Sequence, residues 1–259
     1  MKTPFFLLAF ALASPAIPAE LQLAPNGWAG WRVPAVEGAP AWCCTHAPCK
    51  LDGRRDNYGV HDGETATDGV KVYARVSDGK VDSLQVYAAS CPVEAKTPIQ
   101  DLGDVAADDS ARWLTERARQ DGVDAIARRP LGESALTALA MHRGDVARDS
   151  MAAFARQDSR DETRKWAVFW LAMSRGAEAG SERVISEALR KDPAEDVREQ
   201  AVFALSRLPA ERSTKALIAA AEDRSLSREQ RKRAVFWLSQ SESDAAQAWL
   251  EKVLLTTAR

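Results

Sequence analysis

Ala167-Val-Phe-Trp-Leu171, Ala201-Val-Phe-Ala-Leu205 and Ala234-Val-Phe-Trp-Leu238 are three copies of one pentapeptide that differ only at the fourth place, at offsets of 34 and 33 residues. A weaker copy, Ala135-Leu-Thr-Ala-Leu-Ala-Met141, stands 32 residues before the first. Each strong copy is followed by a polar break, at Arg175–Ser181, Pro209–Arg212 or Ser239–Ser243, and then by a second apolar set at helical spacing. Those sets are Val184-Ile185-Ala188, Leu217-Ile218-Ala221 and Trp249-Leu250-Val253. The unit is helix–turn–helix. A run such as Ala167 to Met173 is apolar all round, so one unit cannot bury it; stacked neighbours must.

Helix-start signals agree with this phase. Ser159-x-x-Glu162 and Ser227-x-x-Gln230 are capping-box patterns ahead of the first helix of their repeats. Arg164, Arg198 and Arg231 each stand three residues before the repeated Ala. On these residues the chain resembles the HEAT-repeat family, including the short bacterial HEAT-like repeats also found in phycobilisome lyases, over about residues 131–256. The resemblance implies an α-solenoid used for protein contacts. No chromophore feature accompanies the repeats, so lyase activity is not carried over. An added helix at about Asp109–Gln120 is expected to cap the front of the stack.

Two residue columns follow from the register: Phe169, Phe203 and Phe236, then Trp170, Ala204 and Trp237. The preferred reading places both in the core between repeats, against an exposed aromatic strip as the alternative. Trp166 and Trp113, flanked by charges, are expected to be partly exposed. Arg183, Glu187, Arg190 and Lys191 on a second helix are the candidate partner-binding residues, which HEAT geometry would place on the concave surface.

Ahead of the repeats the composition changes. Residues 20–104 hold all four Cys, all three Tyr and two of the three His, whereas residues 105–259 are dominated by Ala, Leu, Glu and Arg. The expected fold is therefore α+β with two domains: a small antiparallel β domain with disulfides over 20–104, then an all-α HEAT-like solenoid over 105–259. Two alternating runs, Gly69–Val76 and Lys80–Ala89, flank Ser77-Asp78-Gly79 and read as a β-hairpin. A three-residue loop with Gly79 left-handed pairs Val72 with Leu84 and Val70 with Val86; a two-residue Asp-Gly turn would set Val72 against Gln85. The first register is preferred, with Lys71, Tyr73, Arg75, Ser83 and Gln85 on the polar face. Shorter strands are expected near Gly30–Val33 and Ala41–Cys44.

Cys43, Cys44, Cys49 and Cys91 are an even set in a module with a small core, and two disulfides are the expected state. A vicinal Cys43–Cys44 bond is strained, which leaves Cys43–Cys91 with Cys44–Cys49, or Cys44–Cys91 with Cys43–Cys49. The competing reading is a metal site of Cys43, Cys44, His46 and Cys49, but that spacing is not a regular zinc pattern. No Cys-x-x-Cys redox pair is present.

Residues 1–19, MKTPFFLLAFALASPAIPA, carry Lys2, an apolar run from Phe5 to Ala13 and a small-residue end, the pattern of a secretory signal peptide cleaved after Ala19. No later segment stays uncharged long enough to span a bilayer, so no membrane insertion of the mature chain is expected. The net charge of −2 removes any general pull toward nucleic acid. Neither a nucleophile elbow nor a Gly-rich phosphate loop is present. No catalytic residues, cofactor or resident metal are therefore expected. A third reading is an enzyme whose active site forms in a cleft at the junction of the two domains, around His46, His61 and Asp62. The expectation is a periplasmic or secreted non-catalytic interaction module for a protein or peptide partner, with a metal-binding envelope protein as the alternative.

Overall fold

The structure is a computed structural model that describes residues 21, 23–44, 48–53, 58–178 and 180–257, with the backbone alone at 58–64, 256 and 257. The expected signal peptide and His46 lie outside the described residues, and His61 and Asp62 are seen only as strand backbone.

The front part is a four-stranded sheet in the order β6-β5-β1-β8, built from β1 (Gly27–Val33), β5 (Val70–Ser77), β6 (Lys80–Ala88) and β8 (Ile99–Asp104). β1 runs antiparallel to β5 and parallel to β8. Two small ladders complete it: β2 (Pro40–Cys44) with β4 (Tyr58–Thr65), antiparallel, and β3 (Cys49–Lys50) with β7 (Val93–Glu94), parallel. Gly30 is required where it stands, because a Cβ there would lie 2.9 Å from the Tyr73 ring packed across β1.

The hairpin has a different register from the expected one. Asp78 and Gly79 both have positive φ, 51° and 73°, and form a two-residue turn with Ser77 opposite Lys80. A bulge at Asp82 then shifts the pairing by one residue, so Val72 meets Val86 and Val70 meets Ala88. A two-residue turn sets Val72 against Gln85 only where the register is constant; the bulge restores apolar pairs without the longer loop. Asp82, extruded by the bulge, accepts from Arg75 Nε at 2.8 Å and Ser77 Oγ at 2.9 Å. The expected polar face is also covered. Tyr73, Ser83 and Gln85 are buried, and Gln85 Nε2 donates to the Leu51 carbonyl at 2.8 Å.

Behind the sheet, α1 (Ala107–Arg119) caps a two-layer array. Its first helices are α2 (Leu131–Ala140), α4 (Asp161–Met173), α6 (Glu195–Ser206) and α8 (Arg228–Ser239). Its second helices are α3 (Asp145–Gln157), α5 (Ser181–Lys191), α7 (Ala210–Glu222) and α9 (Asp244–Thr257). The repeated alanines, Ala135, Ala167, Ala201 and Ala234, are all fully buried, and the small side chain lets successive first helices lie close.

Sheet and helices share one apolar core running from Trp28 to Ala246. At the seam Trp31 meets Trp113 edge-on, with ring centroids 5.4 Å apart, and donates from Nε1 to Ser110 Oγ at 2.7 Å. Ser110 in turn bonds His142 Nε2 at 2.7 Å, and His142 Nδ1 bonds the Ala138 carbonyl at 2.8 Å. Asp124, in the loop before α2, accepts from Ser83, the Leu84 amide, the Ile126 and Ala127 amides, and Ser134, at 2.7–3.1 Å. Burial alone would raise its pKa, but these donors outweigh it and hold the carboxyl below the usual range. Trp113, expected to be partly exposed, is buried between Trp31 and the Arg117 guanidinium.

Candidate interaction surface

The repeated Arg residues seat the helical pairs. Asp158, Asp192 and Asp223 end α3, α5 and α7, and each carboxylate accepts the amide two residues on, at 2.9–3.0 Å. Arg164 Nη1 donates to the Asp158 carbonyl at 2.9 Å, and Arg198 Nη1 to the Asp192 carbonyl at 2.6 Å. Arg231 Nη1 reaches the Leu226 carbonyl in the same way. A guanidinium thus satisfies carbonyls left open past each second helix, where the helix dipole also favours positive charge. Arg164 adds a two-pronged pair with Asp192 at the end of α5, at 2.7 and 2.9 Å, so one guanidinium bridges the ends of the successive second helices α3 and α5. In the weaker first copy the position holds Gly132, where a Cβ would lie 2.7 Å from the Ala118 carbonyl oxygen of α1.

On the second-helix face the candidate partner residues divide. Glu187 accepts from Arg156 of α3 at 2.7 Å, and that guanidinium holds its carboxyl below the usual range. Arg190 reaches Asp223 at 3.1 Å, and Trp249 Nε1 of α9 donates to Glu222 at 2.8 Å. These contacts are rungs between successive second helices. Arg183 and Lys191 are exposed. Lys191 lines a cavity of about 480 Å³ together with Arg156, Gln157, Glu187 and Asp192.

The first-helix face carries the aromatic residues. Trp42 of β2 meets Trp170 at 4.9 Å between ring centroids, Trp170 meets Phe169 at 4.8 Å, and Phe169 stacks on Phe203 at 6.1 Å. Phe203 then meets Trp237 at 5.4 Å, Trp237 meets Phe236 at 5.1 Å, and Trp166 flanks Phe169 at 5.5 Å. This unbroken run crosses β2, α4, α6 and α8. It corrects the expectation of two core columns. Trp170 and Ala204 are buried, whereas Trp166, Phe169, Phe203 and Trp237 are half-buried and Phe236 is 53% exposed. The cause is helical geometry: each Phe stands two residues past a fully buried Ala, about 200° round the helix from it, so the ring points away from the buried side toward the rim of the seam. Beside the rings, Lys165, Glu199, Gln200 and Arg233 line a cavity of about 400 Å³, with Arg233 and Glu199 paired at 2.9 Å.

This arrangement suits contact more than chemistry. Ser110 and His142 have the spacing of a nucleophile and its base, but both are fully buried, and His142 is oriented by a backbone carbonyl. Burial pushes its pKa down to about 4. The pair braces the seam. The four cysteines form Cys43–Cys91 and Cys44–Cys49, one of the two expected pairings, with Cα separations of 5.5 and 5.4 Å. None is left as a free thiol for a metal. No helix among the described residues is long and apolar enough to cross a membrane.

No curated protein matches the chain. Residues 197–223, which cover nearly all of α6 and α7, match the family model of the PBS lyase HEAT-like repeat, and the neighbouring helix pairs share the helix–turn–helix plan of that matched unit.

Proposed function

We propose that this is an exported, non-catalytic interaction module that holds a protein or peptide segment on its helical array. The observation that carries the reading is the run of half-exposed rings across α4, α6 and α8. Aromatic anchors beside charged and amide groups are the composition from which binding hot spots are built, and a contiguous apolar strip of this kind is uncommon on a surface without a partner. Arg183 and Lys191, with Glu187 and Arg190 between them, form a second polar contact surface on α5. Export is supported by the reading of residues 1–19 and by two disulfides, which persist in oxidising compartments.

The test is affinity capture from the envelope fraction of the source cell with three proteins: wild type, a Trp166→Ala/Phe236→Ala pair, and an Arg183→Glu/Lys191→Glu pair. Loss of two aromatic hot spots is expected to weaken capture about tenfold or more, with a smaller change for the charge reversals. Wild-type capture by the folded ring variant would contradict the surface assignment.

A further inference from the structure

The two disulfides are a single cluster of sulfur atoms. Each joins one member of the vicinal Cys43-Cys44 pair on β2 to one of two buried cysteines, Cys91 or Cys49. The sulfurs of Cys49 and Cys91, which are not bonded to each other, lie 3.5 Å apart, in van der Waals contact. Those of Cys43, Cys49 and Cys91 all fall within 4.8 Å. Cys49 is fully buried, while Cys44 is half-buried and is the accessible end of its bond. The backbones of the buried pair are joined independently of any disulfide. Cys49 N–H donates to the Pro92 carbonyl at 2.8 Å, Leu51 N–H to the Glu94 carbonyl at 2.9 Å, and β3 pairs with β7.

We propose that this cluster is a thiol–disulfide exchange site for a dithiol reductant, in which two-electron reduction moves the surviving bond to Cys49–Cys91 and releases Cys43 and Cys44 as a vicinal dithiol. The first thiolate of the reductant attacks Cys44 Sγ, and the Cys44–Cys49 bond breaks with its electron pair on Cys49 Sγ. Cys49 Sγ swings in line by side-chain rotation and attacks Cys91 Sγ, so that Cys49–Cys91 forms and Cys43 leaves as thiolate. The second thiol of the reductant closes onto its own bound sulfur, freeing Cys44 and leaving the reductant as its cyclic disulfide. Two electrons pass to the protein, and the two reductant protons end on Cys43 and Cys44. Attack at Cys43 instead expels Cys91, which attacks Cys49 and frees Cys44, so both routes give the same product. The freed pair directly follows Trp42, the first ring of the run that continues through Trp170 at 4.9 Å.

The experiment uses the folded full-length mature chain with one to two equivalents of dithiothreitol, acid quenching, alkylation with N-ethylmaleimide and peptide mapping by mass spectrometry. The expected two-electron species carries label on Cys43 and Cys44 and a Cys49–Cys91 crosslink, in about tenfold excess over any other singly bridged form, since whichever of Cys49 and Cys91 is freed stays in contact with the other sulfur and exchanges within the chain, before or after the reductant closes its ring. The same treatment in denaturant should lose this preference. A two-electron species that retains Cys43–Cys91 or Cys44–Cys49 would overturn the proposal. So would passage straight to four labelled cysteines, or resistance of the folded chain to excess dithiothreitol. A Cys43→Ser/Cys91→Ser variant, checked for helical content, removes the internal acceptor and is expected to give label on Cys44 and Cys49.

Discussion

His142 shows what one buried side chain can impose on the whole chain. Its pKa, ordinarily 6.5, falls to about 4 in the folded state because burial disfavours the charged form. The unfolded chain therefore binds a proton first as pH falls. The stabilisation from keeping this ring neutral is complete above pH 6.5 and is lost as pH drops from there through 4, with a ceiling of about 3 kcal/mol. Denaturant midpoints between pH 7.5 and 4 should fall in the wild type, and His142→Gln should flatten that profile; an unchanged profile would remove His142 as its source. Gly132→Ala is a second test at this scale. Helix propensity favours Ala by about 1 kcal/mol, but the added Cβ would stand 2.7 Å from the Ala118 carbonyl oxygen. Net destabilisation of about 1–3 kcal/mol is expected from the clash, read by urea unfolding. The sequence narrowed the cysteines to two pairings and no further, because choosing between them needs the placement of Cys91 against β3. The burial of Trp113 is not legible for a related reason: charged neighbours along the chain say nothing of Trp31, which comes from the sheet to cover it.

At the scale of elements, the periodic parts were legible and the locally compensated parts were not. The helix pairs follow from the spacing of Ala, Val, Phe and Leu, which is a property of neighbouring residues. The hairpin was legible as a hairpin, but its register depended on Asp82, whose role becomes visible only when Arg75 and Ser77 converge on it. The two capping patterns also separate. Ser227 and Gln230 form the full reciprocal box on α8, whereas α4 starts after Arg160 with no side-chain cap, and Ser159 is not used in that role. Ser227→Ala should therefore cost about 1 kcal/mol, and Ser159→Ala should fall within about 0.5 kcal/mol of wild type. Equal losses in thermal or denaturant unfolding would contradict this distinction.

The whole molecule is a repeat array whose first helices are anchored to a β structure through one core, so the aromatic face and the disulfide-bearing strand β2 meet at Trp42 and Trp170. The repeat, and the aromatic residues that form the face, could be read in the chain. Their exposure could not, because it depends on how α4, α6 and α8 lie against one another and on which rings that leaves at the rim of the seam. The candidate charges on α5 were visible as charges, but Arg156 and Asp223, which occupy two of them, come from neighbouring repeats. The ring face, as the proposed seat of the partner, can be probed by placing a photo-crosslinking residue at position 236 and, in a separate protein, at position 183, and irradiating each in the envelope of the source cell. A discrete crosslinked protein or peptide is expected from position 236, outcompeted by wild-type protein. A discrete product from position 183 with none from position 236 would contradict that placement.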